Sequence, residues 1–110
     1  MFRTMIALAI VSVLAVTADA YRPSMQTVSG LVLSERGEPI HEAKVEFLLV
    51  TTYGRFIRVT ASTDRDGKYM IQGIPESKGI GMAWGHDPGR GPVEQPVEIT
   101  KKPNIYHFSL

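Results

Sequence analysis

Three histidines, His41, His86 and His107, and the pair in Asp64-x-Asp66-Gly67 are the side chains best suited to chemistry in this chain. A zinc site needs three or four convergent histidine, cysteine or carboxylate ligands. The histidines stand far apart: after the first turn, in a long loop and in the last strand. Two of them can meet at one end of a folded domain, but nothing in their spacing requires it, so they read as exposed polar residues. Asp64-x-Asp66-Gly67 supplies at most half of a calcium loop. With Asp66 as the third ligand, Ser62 stands first and Gly73 last, so the closing bidentate acid is missing. A tight β-turn is the expected role. Ser34, Ser62, Ser77 and Ser109 sit at strand ends and turns, outside any nucleophile-elbow pattern. The chain has no Cys, which excludes thiol chemistry and thiolate metal sites. No constellation meets the geometric roles of an active site, so no catalysis, metal or cofactor is expected.

Binding is a different matter. Trp84 stands where a strand meets the loop Gly85-His86-Asp87-Pro88-Gly89-Arg90-Gly91-Pro92. An exposed indole can stack on the apolar face of a sugar ring, and His86 or Asp87 can take its hydroxyls. Tyr53, at a hairpin tip, is a candidate second platform. Against this, sandwich domains often bury one large aromatic, and Trp is highly buried on average. The core position is therefore the preferred reading of Trp84, with Trp84, His86, Asp87 and Tyr53 as the candidate ligand residues should it prove exposed.

The segment that decides where these residues act is the first twenty. Met1-Phe2-Arg3-Thr4 carries a positive charge, Met5 to Val16 is apolar apart from Ser12, and Ala18-Asp19-Ala20 offers small residues for cleavage. This pattern is a secretory signal peptide, residues 1–20, and its apolar run is shorter than the roughly 20 residues a bilayer span requires. The expected mature chain starts near Tyr21 and is secreted or periplasmic, with no membrane span after cleavage. Of the 110 residues about 90 remain, enough for one domain with a small core. Net charge is +1 before cleavage and, since Arg3 and Asp19 leave together, after it. A near-neutral chain is a poor partner for nucleic acid.

The mature chain reads as β throughout. Residues 21–26 are expected to be a loose lead. Thr27 to Leu33 is short, apolar and branched, and Glu35-Arg36-Gly37-Glu38-Pro39 is a turn. From Ala43, apolar residues at 43, 45, 47 and 49 alternate with Lys44 and Glu46. Leu48 and Val50 break the alternation, which predicts cover on both faces near that strand's end. Ile57, Val59 and Ala61 alternate with polar residues, and Asp64 to Gly67 turns the chain into a short strand, Lys68 to Gln72, closed by Gly73-Ile74-Pro75. Gly79 to Trp84, Val93 to Thr100 and Asn104 to Leu110 complete seven strands. Their spacing predicts an all-β two-sheet sandwich.

The motifs in these strands have a particular order. Val28-x-Gly30-x-Val32, Gly37-x-Pro39-Ile40 and Ala43-x-Val45 are followed by Thr63-Asp64-x-Asp66-Gly67-x-Tyr69-x-Ile71 and Ile74-Pro75. This resembles the carboxypeptidase regulatory-like domain family, from about Thr27 to Leu110. The resemblance implies a seven-stranded immunoglobulin/transthyretin-like fold, grouped with carbohydrate-binding-like sandwiches. It implies structural roles for Gly30, Gly37, Pro39, Ala43, Asp64, Asp66, Gly67, Tyr69 and Pro75. The strand after Ile74-Pro75 departs from the family pattern: it lacks the usual Gly-x-Tyr.

Two catalytic relatives of such sandwiches are weighed and set aside. The transthyretin-like hydrolase of a purine breakdown product has a Tyr-Arg-Gly-Ser ending, where this chain has Tyr106-His107-Phe108-Ser109-Leu110. Intradiol dioxygenases hold iron with paired Tyr and His; Tyr53, Tyr69, Tyr106 and the three histidines match the counts but not the spacing. The expectation is a non-catalytic module with a structural or protein-interaction role at the cell envelope. The alternative is a carbohydrate-binding module, so the expected partner is a protein or a polysaccharide.

Overall fold

The computed structural model describes residues 25–110. The expected signal peptide and residues 21–24 of the expected lead lie outside the described residues. Among these residues all regular structure is β: β1 (Met25–Leu33), β2 (Lys44–Thr51), β3 (Phe56–Ser62), β4 (Lys68–Pro75), β5 (Ser77–Trp84), β6 (Val93–Ile99), β7 (Asn104–Ile105) and β8 (Phe108–Ser109). Met25 and Gln26 pair with Pro75 and Ile74, so the lead is shorter than expected. The count is eight rather than seven because Tyr106 and His107 interrupt the last segment. No helix here is long and apolar enough to cross a membrane.

The strands form two sheets, β4-β1-β7/β8 and β3-β2-β5-β6. Strict alternation in β2 sends Val45, Phe47 and Leu49 to one side, where they meet Val28 and Val32 of β1, Tyr69 and Ile71 of β4, and Phe108. The core aromatics are Phe47, Tyr69 and Phe108, with ring centroids 6.0–6.3 Å apart. Trp84 is not among them, because alternation in β5 puts Ala83 inside and Trp84 outside. Cover on both faces of β2 is also absent: Leu48 is 43% exposed, since no third layer lies over the sheet among the described residues.

β4 runs to Pro75 instead of closing at Gln72. A register shift opposite Gln26 and Val28 marks a bulge, with Gly73 at φ +76°. The extra residue reverses the alternation, so Ile74 turns into the core behind Ile71. Gly67, at φ +74°, closes the turn that Asp64 organises: Asp64 Oδ1 accepts from the amides of Asp66 and Lys68, both at 2.9 Å. Asp66 contributes its amide to the turn, and Asp64 alone supplies the carboxylate acceptor.

Thr63 is the strand-end residue whose role pattern reading missed. It is buried; its hydroxyl accepts from the Ala43 amide at 2.8 Å and donates to the Ile40 carbonyl. Thr63→Val keeps the shape but strands a buried amide and a carbonyl. It is expected to cost about 2 kcal/mol or more, read as a lower urea midpoint with unchanged slope.

Candidate functional site

The β3-β2-β5-β6 sheet has one face on the core and one open face. Cross-strand register builds the open face in rows: Ser62, Lys44 and Trp84; then Thr60, Glu46, Met82 and Glu94; then Arg58, Leu48, Ile80 and Pro96; then Phe56, Val50, Lys78 and Glu98. The third row is apolar at its centre, and Phe56 and Val50 extend this patch along β3 and β2 in the fourth. Ile80 is 43% and Phe56 82% exposed, beside Leu48. At the other end, the Lys44 ammonium lies 5.0 Å from the centroid of the half-buried Trp84 ring. Glu46 is buried on this face, and its Oε1 accepts from Arg58 Nε at 3.0 Å with Lys44 Nζ 3.9 Å away.

Beyond Trp84 the β5–β6 loop folds against the β1–β2 turn and leaves a cleft of about 400 Å³. Ile40, Val93 and Leu110 supply its apolar lining; Glu35, Glu38, Arg36, Arg90, His86 and Asp87 supply its polar lining. Arg90 Nη2 and Glu35 Oε1 join the two loops at 2.9 Å. Asp87 Oδ1 accepts from the Gly89 amide at 2.9 Å and shapes the loop. His86 Nε2 donates to the His41 carbonyl at 2.6 Å, which ties the loop to the β1–β2 connection. The cleft suits a small polar ligand with one apolar side.

The sequence candidates therefore separate. His86 and Asp87 line the cleft, and Trp84 stands just outside it on the open face. Tyr53 lies past Thr51, at the opposite end of β2 from the Lys44–Trp84 pair, about 25 Å away by strand rise. It cannot share a small ligand with Trp84. Lys44, Glu46, Arg58, Leu48 and Ile80 went unseen as candidates, because only strand register brings them onto one face. Glu35, Arg36, Glu38 and Arg90 looked like ordinary turn and loop residues until the two loops were placed together.

The hydroxyl and imidazole groups elsewhere are engaged one by one. The Tyr69 hydroxyl donates to the Tyr106 carbonyl at 2.6 Å, and burial pushes its phenol well above the usual range, with Tyr106 adding to the shift. The Tyr106 hydroxyl bridges the Glu98 carbonyl and amide at 2.9 and 2.8 Å. His107 Nδ1 accepts from the Leu31 amide at 3.0 Å. Among the described residues no three His, Asp or Glu side chains converge.

Fold and faces together define a two-sheet all-β sandwich with an apolar patch on one open face and a cleft at one end. No protein-family model matches the chain, and no curated protein matches it. Among solved structures it is similar to the dioxygenase domain of a dioxygenase carbohydrate-binding protein fusion from the cellulolytic bacterium Streptomyces sp. SirexAA-E. The TM-score is 0.62 at 18% identity, over 81% of this chain and 80% of that one. At that identity the likeness is one of fold. It also aligns with the Streptococcal ancillary pilin, with TM-score 0.44 and 13% identity over 77% of this chain and 29% of that one. A third alignment, with a 9R-lipoxygenase from Cyanothece PCC8801, has TM-score 0.42 and 16% identity over 81% of this chain and 17% of that one. At those scores neither bears on function.

Proposed function

We propose that this chain is an exported, non-catalytic module of the carboxypeptidase regulatory-like, transthyretin-like kind, with a structural or protein-interaction role at the cell envelope. The supporting observation is the open sheet face, where Leu48, Ile80 and Phe56 expose a continuous apolar band. Such bands on small domains mark surfaces for protein contact. The separate engagement of Tyr69, Tyr106 and His107 supports a non-catalytic reading, although a protein of similar fold is named a dioxygenase. The test is a photo-crosslinking residue at Ile80, introduced in the exporting cell. One discrete adduct, lost when Leu48→Lys is added, is the expected result. No adduct with normally accumulated protein overturns the reading.

A second reading, carbohydrate binding, is favoured by one observation: Trp84 is on the open face and half-exposed, beside the cleft that holds His86 and Asp87. Trp84 is the sole Trp, so its fluorescence reports one position. On this reading, polysaccharide titration gives a saturable shift in the wild type and none in Trp84→Ala. A flat titration with Trp84 still open to iodide quenching leaves only the protein-contact reading.

A further inference from the structure

We propose that the chain assembles with a second copy of itself by antiparallel pairing of β3 with β3, in a register centred on Val59. The proposal uses the sheet edge rather than the open face, and so stands apart from the function above.

Hydrogen-bond parity defines what β3 offers. The Thr63 amide donates to the Ala43 carbonyl at 3.0 Å, and the Thr51 amide to the Arg55 carbonyl at 2.8 Å. In an antiparallel ladder, hydrogen-bonded pairs recur at every second residue. Residues 57, 59 and 61 therefore bond to β2, and Phe56, Arg58, Thr60 and Ser62 turn both backbone groups to the free edge. Among the described residues no strand covers that edge.

The other edges are blunted. β4 carries the Gly73 bulge and ends in Pro75. β6 has Pro96 mid-strand and is bridged to the C-terminal segment, where Gln95 Nε2 donates to the His107 carbonyl at 2.7 Å. β7 and β8 are two residues each. β3 has seven residues with no Pro, Gly or bulge. Its single charge, Arg58, is matched by Glu46 at 3.0 Å. An edge without such protection is a template for another strand.

The sequence of β3 selects a second copy as that strand. Centring on Val59 sets Phe56 against the second copy's Ser62, Arg58 against its Thr60, Ile57 against its Ala61 and Val59 against its Val59. All four outward-facing residues are then paired, with about eight backbone bonds and no opposed like charges. Centring on Arg58 opposes two guanidinium groups. Centring on Thr60 leaves Phe56 beyond the partner strand's end. Intermediate registers put side chains on the wrong face. The paired state is one continuous sheet, β6-β5-β2-β3 joined to its copy, and it covers the half-buried Ile57, Val59 and Ala61.

The test combines oligomeric state with register. The purified chain should sediment as a monomer–dimer equilibrium at micromolar concentration. Val59→Cys should form a disulfide-linked dimer on oxidation, since a non-hydrogen-bonded pair sits about 4.5 Å apart at Cα and the chain has no other Cys. Phe56→Cys and Ser62→Cys should not link alone but should link when mixed. Thr60→Pro removes an outward amide and leaves the β2 ladder intact, so it should be monomeric with unchanged circular dichroism. Thr60→Lys, set against Arg58 twice in the dimer, should weaken association about tenfold. A wild-type chain that stays monomeric overturns the proposal, whatever else its edge binds. So does a dimer that ignores Thr60→Pro, or one in which Val59→Cys fails to link.

Discussion

Gly30→Ala is expected to lose about 3 kcal/mol or more, the upper range for overpacking a closed site. Gly30 lies in the middle of β1, directly beneath the carbonyl of Tyr106, and a Cβ there would collide with that oxygen. The far side is also closed, since Tyr69 Cε2 would lie 3.0 Å away. The Tyr106 carbonyl cannot swing aside freely, because it accepts the Tyr69 hydroxyl at 2.6 Å. Relief of the clash therefore breaks a part-buried hydrogen bond and loosens the C-terminal segment from β1, where Tyr106 N donates to Ser29 O at 2.9 Å. A domain of this length has about 4–13 kcal/mol of stability in total. Thermal unfolding should drop by tens of degrees, or the variant should fail to accumulate. Gly37→Ala is the control: φ is +82° there, but no atom lies within 4 Å, so the expected cost is only about 1 kcal/mol. Equal losses in the two variants would show that conformation, not close approach, governs Gly30.

Gly67→Val should be comparably damaging for two separate reasons. A β-branched residue at φ +74° is strained by about 1–3 kcal/mol. The site is also closed: a Cβ would meet the Val32 carbonyl at 2.8 Å, Pro39 Cβ at 3.0 Å and the Ile40 amide at 3.2 Å. Val32 belongs to β1, Pro39 and Ile40 to the β1–β2 connection, and the Gly67 carbonyl accepts from the Val32 amide at 2.8 Å. The turn is therefore a packing element against β1 and the β1–β2 connection as well as a reversal of the chain. Gly67→Asn, which tolerates the left-handed region, separates the two causes in equilibrium unfolding. A large loss in both variants assigns the effect to the closed site. A loss confined to Val assigns it to backbone conformation.

Much of the fold was legible because β-structure writes its faces into alternate positions. Ala43, Val45, Phe47 and Leu49 are buried as their spacing predicts, and Tyr69 and Ile71 pack inward. Gly37 and Gly67 take the positive φ that the turn residues around them demand. The pattern failed where an added residue changes its phase. The Gly73 bulge extends β4 and buries Ile74, and a one-residue insertion of this kind has no signature beyond a glycine. It failed also where one strand's face depends on what covers it. Leu48 reads as apolar and therefore internal, yet it is exposed.

The amino-acid sequence by itself determined the all-β class, the strand borders to within a few residues, the two tight turns and the inward set of β2. Those properties rest on local steric and period-two rules that each segment obeys alone. Only tertiary structure decided that Trp84 lies outside the core beneath Lys44, that Tyr53 stands at the far end of the sheet, and that β3 has, among the described residues, no strand neighbour on one side. Each of these depends on strand order and register. Pairings between segments far apart in the chain set both, and composition and periodicity do not encode them.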